Sequence, residues 1–103
     1  MRLPWLFAAV RGHSMIPSLA PGEYVVARRG VPPRPGAVVV VRRPERHVVK
    51  RVTHLTGDGR VWVQGDNDAV TDDSRSYGAV DAADVVAEVR WRYYPLRHAG
   101  RVR

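Results

Sequence analysis

The chain has 103 residues, room for one domain with a single modest core. Apolar residues make up 45% of it, which excludes a disordered chain, and no run of about 18 apolar residues exists, which excludes a membrane-spanning helix. Cysteine is absent, so disulfides, thiol chemistry and cysteine-based metal sites are out, while the net charge of +7 suits an acidic partner.

Residues 3–10 are apolar but interrupted by Pro4, too short for a secretory leader, and read as a strand. Residues 14–19 form one short helical turn with Pro17 inside it. Residues 23–28 carry Tyr24-Val25-Val26, a strand bounded by Pro21-Gly22. The valine run 37–41 is apolar on both faces, so it is expected as a central buried strand. Residues 47–52 form the next strand. Thr56-Gly57-Asp58-Gly59 reads as a hairpin turn into the alternating strand 61–64. Residues 65–78 form a polar loop, 81–84 a second short helical turn, and 85–94 a long strand. The pattern predicts an all-β fold with one or two short helical turns, a coiled antiparallel sheet or partly open barrel. Residues 1–96 form the single core and 97–103 a basic tail.

Three features bear on chemistry. Ser14 follows a strand and Gly12-His13, then the chain turns sharply, a setting that presents a hydroxyl beside backbone amides. The same position also suits a helix cap. Lys50 sits inside the apolar strand 47–52 and is the single lysine among 17 lysine and arginine residues. Burial there disfavours the ammonium form, and a neutral amine can take a proton from a serine hydroxyl. An outward-facing lysine on an edge strand fits the sequence as well. Arginine could not serve as such a base, because guanidinium stays protonated. The third feature is the loop 65–78, dense in side chains that bond to backbone. It lacks a calcium-loop register, and the four histidines lack ligand spacing, so no metal and no cofactor are expected.

Together these pieces resemble the signal peptidase I family of serine–lysine proteases, whose fold is also that of the self-cleaving stress-response repressors. Ser14-Met15-Ile16-Pro17-Ser18-Leu19 with Gly22-Glu23 is similar to the family's S-M-x-P-T-L-x-x-G-D box. Arg34-Pro35-Gly36-Ala37-Val38-Val39-Val40 resembles its G-D-[IV]-V strand, and Lys50-Arg51 its K-R-[VI] box. Gly65-Asp66-Asn67 through Asp73-Ser74-Arg75-Ser76-Tyr77-Gly78 resembles its G-D-N-x-x-x-S-x-D-S-R-x-[WY]-G box. The ending Arg92-Tyr93-Tyr94-Pro95 is similar to that of the nickel-type superoxide dismutase maturation proteases.

The resemblance implies a serine endopeptidase that cleaves an N-terminal leader or extension from a protein substrate, with the nickel-type dismutase precursor as one such substrate. It implies Ser14 as nucleophile, Lys50 as general base, Thr71 as the hydroxyl that orients the lysine, and the Ser14 amide as an oxyanion donor. Asp73 and Arg75 would brace the loop. Gly12, His13, Met15, Pro17 and Val48 would contact the substrate, which would add as an extended strand. Ser18 stands for the family's threonine, Ala37 for its aspartate, and Gly12 offers no hydroxyl to the oxyanion hole. The expected partner is a protein or peptide substrate and not nucleic acid, in the cytoplasm with at most peripheral membrane contact. General signal peptidase action on secreted preproteins and a non-enzymatic basic nucleic-acid-binding β-module stay open as alternatives.

Overall fold

A computed structural model of the chain describes residues 3–103. Its strands are β1 (Trp5–Ala9), β2 (Tyr24–Arg29), β3 (Val38–Arg42), β4 (His47–Leu55), β5 (Arg60–Gln64), β6 (Val80–Asp81), β7 (Val85–Tyr94) and β8 (Gly100–Arg101). One short helix, α1 (Ser74–Tyr77), and 3₁₀ turns at Ala82–Asp84 and Leu96–His98 complete it. All the pairings are antiparallel and join one sheet in the order β1-β2-β7-β3-β4-β5-β6, with β8 added to β7. The protein is all-β, as expected.

The valine run explains the architecture. β3 lies between β7 and β4. Side chains alternate along a strand, so a run of valines must bury on both sides. Val38 and Val40 enter one core with Met15, Leu19, Val25, Ala27 and Val89. Val39 and Val41 enter a second with Val52, Val61, Val63 and Val80. Each buried valine contributes about 1.5–2 kcal/mol relative to exposure. Bulges within the β2–β7, β3–β7 and β4–β5 pairs add local twist and curl the sheet. Curling leaves one outer face wet and rich in rings: Trp5, Phe7, Tyr24, Trp91, Tyr93 and Tyr94 are exposed. Tyr24 and Tyr94 lie 5.1 Å apart, Phe7 meets Tyr93 edge-on at 5.9 Å, and Arg28 lies over Trp5.

Most expected strands appear with shifts of a residue or two at their ends; β4 runs three residues further, to Leu55. The hairpin turn after it closes with the Thr56 amide donating to the Arg60 carbonyl at 2.9 Å. Three things differ from expectation. Residues 14–19 form a series of turns rather than a helical turn, with a cis Ile16–Pro17 bond. The loop 65–78 contains α1, capped by the Asp73 carboxylate accepting from the Arg75 amide. The tail folds back: β8 pairs with Trp91 and Arg92 of β7, and Arg92 Nε donates to the His98 carbonyl at 2.6 Å. With two residues, β8 is too short for alternation to mark it in the sequence.

Candidate active site

The serine turn is held by apolar anchors. Met15 and Leu19 are buried in the first core, 1% and 0% exposed, and the Leu19 amide donates to the Met15 carbonyl at 3.0 Å. Ser14 is half-buried above them. Gly12, two residues earlier, has φ +70°, a backbone conformation that favours glycine. A turn requirement therefore accounts for this residue, independently of any missing hydroxyl.

Lys50 reaches the same place from β4. It is opposite Val39 of β3, and directly paired residues share a face. The side chain is therefore drawn to the margin of the second core and is only 4% exposed. Burial pushes its amine below the ordinary lysine range, against the pull of the Asp73 and Asp72 carboxylates. The Arg46 and Arg75 charges add to that push. None of the ion pairs among the described residues includes Lys50.

Ser14 and Lys50 line one cleft of about 570 Å³, bounded by the end of β1 and the start of β4. Of the other expected contact residues, Gly12, His13, Met15 and Val48 also line it, whereas Pro17 does not and is exposed. Thr71 is exposed and lies off the lining; among the described residues its side chain makes no hydrogen bond to Lys50. Its carbonyl instead accepts from the Asp73 amide and the Ser76 hydroxyl. The neighbour, Asp72, lines the cleft.

The loop 65–78 ties the two halves together. The Asn67 amide donates to the Ser14 carbonyl at 2.9 Å, and Asn67 Nδ2 to the His13 carbonyl at 3.0 Å. Asp66 accepts from the Ser18 hydroxyl and from Arg51 Nε and Nη2, both at 2.8 Å. One carboxylate thus bridges the serine turn and the residue after Lys50. The sequence contained Asp66 and Arg51 in the matching boxes, but not their pairing. Asp73 is fully buried; it accepts from the Gly65 amide at 2.8 Å and pairs with Arg75 at 2.7 Å. Ala37, in place of the resembled family's aspartate, lies at the edge of the second core.

A family profile described as peptidase S24-like matches residues 4–89. The chain belongs to the peptidase S24-like family. It is 30% identical to the mitochondrial ATP-independent inner membrane protease subunit 1b of Arabidopsis thaliana, over 86% of this chain and 70% of that one. It is 34% identical to the mitochondrial inner membrane protease subunit 1 of Schizosaccharomyces pombe, over 84% and 72%. Subunit 1a of Arabidopsis thaliana is 31% identical, over 91% and 73%. This peptidase S24-like chain is a signal peptidase-like serine hydrolase, and its substrate is a polypeptide. Among the described residues no helix is long and apolar enough to cross a membrane.

Proposed function

We propose that the chain is an endopeptidase with a Ser14–Lys50 dyad that removes an N-terminal leader or extension from a protein precursor. The observation that carries this reading is a desolvated lysine and a turn-borne serine on one cleft. The neutral amine of Lys50 takes the Ser14 proton as Oγ attacks the scissile carbonyl, then gives it to the leaving amine. The Ser14 amide faces the developing oxyanion. Water then hydrolyses the ester. The loop 65–78 holds both partners in register, with Asp73 and Arg75 as its brace and Thr71 as a hydroxyl close in sequence to the cleft residue Asp72. The relatives named as inner membrane proteases agree with cleavage of polypeptides.

Ser14→Ala and Lys50→Met are each expected to abolish cleavage of a precursor while circular dichroism stays native. Activity retained in Lys50→Arg would sink the general-base assignment. The wild-type rate should rise with pH to an inflection below the ordinary lysine range; a flat profile from about pH 6 to about pH 9 contradicts it. The nickel-type superoxide dismutase precursor is the substrate that the ending Arg92-Tyr93-Tyr94-Pro95 favours. Incubation with that precursor should release its short N-terminal extension; an intact precursor removes this substrate.

We further place the chain in the cytoplasm, in peripheral contact with the membrane. The support is the ring-rich outer face bearing Trp5, Tyr24 and Trp91 beside Arg28, since Trp and Tyr suit the headgroup region. The chain should co-sediment with phosphatidylglycerol vesicles, and Trp5→Ser with Trp91→Ser should lose that. Equal recovery of wild type and variant in the vesicle pellet would contradict this contact.

A further inference from the structure

Among the described residues the cleft carries two arginines with no carboxylate partner. Arg11, after β1, and Arg46, just before β4, both line it and both are exposed. Seven other arginines pair with carboxylates: Arg34, Arg42, Arg51, Arg60, Arg75, Arg90 and Arg92. Among the described residues neither Arg11 nor Arg46 does. Asp72 is the one carboxylate on the lining. Of the eight described arginines that form no ion pair, Arg11 and Arg46 are the two on the lining of the cleft that holds the proposed chemistry.

Backbone geometry says what would lie between them. Among the described residues β1 pairs only with β2, and β5 pairs with β4 from Arg51 onward. The segment His47–Lys50 is therefore hydrogen-bonded on its β3 side alone. Both free edges border the cleft, and an extended peptide can add to such an edge. Arg46 precedes Lys50 by four positions, about 13 Å at strand rise.

We infer that the cleft selects acidic peptide segments, with Arg46 and Arg11 each meeting an Asp or Glu side chain of the substrate. The acid met by Arg46 lies about three to five residues from the scissile bond, on the side that runs along the start of β4. This inference rests on the protease reading and narrows it to a substrate class. Partly exposed charge pairs are screened, so each acid is expected to raise turnover only about threefold, and the gain should fade in about 0.5 M salt.

The test has two arms. In the first, wild-type protein is incubated with a degenerate peptide library and the cut sites are read by mass spectrometry. Asp and Glu should be enriched flanking the cut, and Arg11→Gln with Arg46→Gln should bring the ratio of acidic to basic residues there close to one. In the second, Ser14→Ala protein is titrated with fluorescent alanine-rich peptides bearing Asp, Ser or Lys at their ends. The Asp peptide should bind tightest at low salt, and the double arginine variant of Ser14→Ala should lose that order. Cleavage without acidic enrichment overturns the inference and leaves the protease reading intact. Selective binding of the Asp peptide with no cleavage by wild type sustains the selectivity and removes the protease reading.

Discussion

Lys50 occupies a position where burial works against a charge, and that cost has a measurable sign. Its folded-state pKa lies below that of the unfolded chain. Between those two values the unfolded chain binds more protons, so this group makes stability rise with pH through that window. Lys50→Met removes the ammonium and keeps the volume. The variant should therefore be inactive yet more stable at pH 7 by about 1 kcal/mol, about 4–8 °C in Tm for a domain of this size. Calorimetry at pH 7 and at pH 10 checks this, since the gain must shrink at the higher pH. A Tm that falls at pH 7 would mean that the amine is better satisfied in the fold than its burial implies. Ser14 carries no such signature: its substitution removes a half-buried hydroxyl and should leave Tm nearly unchanged.

The loop 65–78 acts as one element because its backbone fits against the serine turn. A methyl group added at Gly65 would sit 2.4 Å from the Ser14 carbonyl oxygen and 3.1 Å from Ser14 Cβ. Backbone cannot yield there cheaply, as Asn67 also bonds to that oxygen. Gly65→Ala should displace Ser14, lower kcat about 100-fold and cost about 1–3 kcal/mol in stability. Urea midpoints with single-turnover rates separate the two effects; wild-type kcat in this variant would show that the turn tolerates the shift. The sequence had marked the loop as polar and turn-rich, and its glycine as part of a box. It could not show that this glycine is needed for close approach, because Ser14 and Gly65 are far apart in the chain and meet only through folding.

Across the whole molecule, buried carboxylates make the fold acid-sensitive. Burial alone would raise the Asp73 pKa, but the Arg75 guanidinium and the Gly65 and Arg75 amides outweigh it and hold it below the ordinary range. Arg34 does the same for Glu88, whose burial opposes it. Glu23 is lowered too: the Ala20 amide, His98 and Arg92 overcome its burial. Depressed pKa values give stability that is present above the unfolded value and lost as pH falls through the folded one. Acid unfolding should therefore start below about pH 4. Asp73→Asn, which takes the buried carboxylate from Arg75 and leaves it Asp68 and the Val70 carbonyl, should cost about 3 kcal/mol at pH 7 and flatten the acid limb. Circular dichroism from pH 2 to pH 7 checks both; an unchanged limb would shift the acid response to the other carboxylates.

By itself the sequence determined the six longer strands, because alternation, β-branching and Gly-Pro punctuation are local, whereas the two-residue β6 and β8 carry no such pattern. It also marked β3 as central, since five apolar residues in a row need cover on both faces. The spacing of the boxes pointed to the family, and the lone lysine made Lys50 conspicuous. Tertiary structure alone decided that β4 carries Lys50 to the same cleft as Ser14, and that Asp66 joins their two segments. It also placed Asp72, and not Thr71, on the cleft lining, and left Arg11 and Arg46 there without a carboxylate partner among the described residues. Those facts depend on which distant side chains meet once the sheet curls, and no local pattern encodes that.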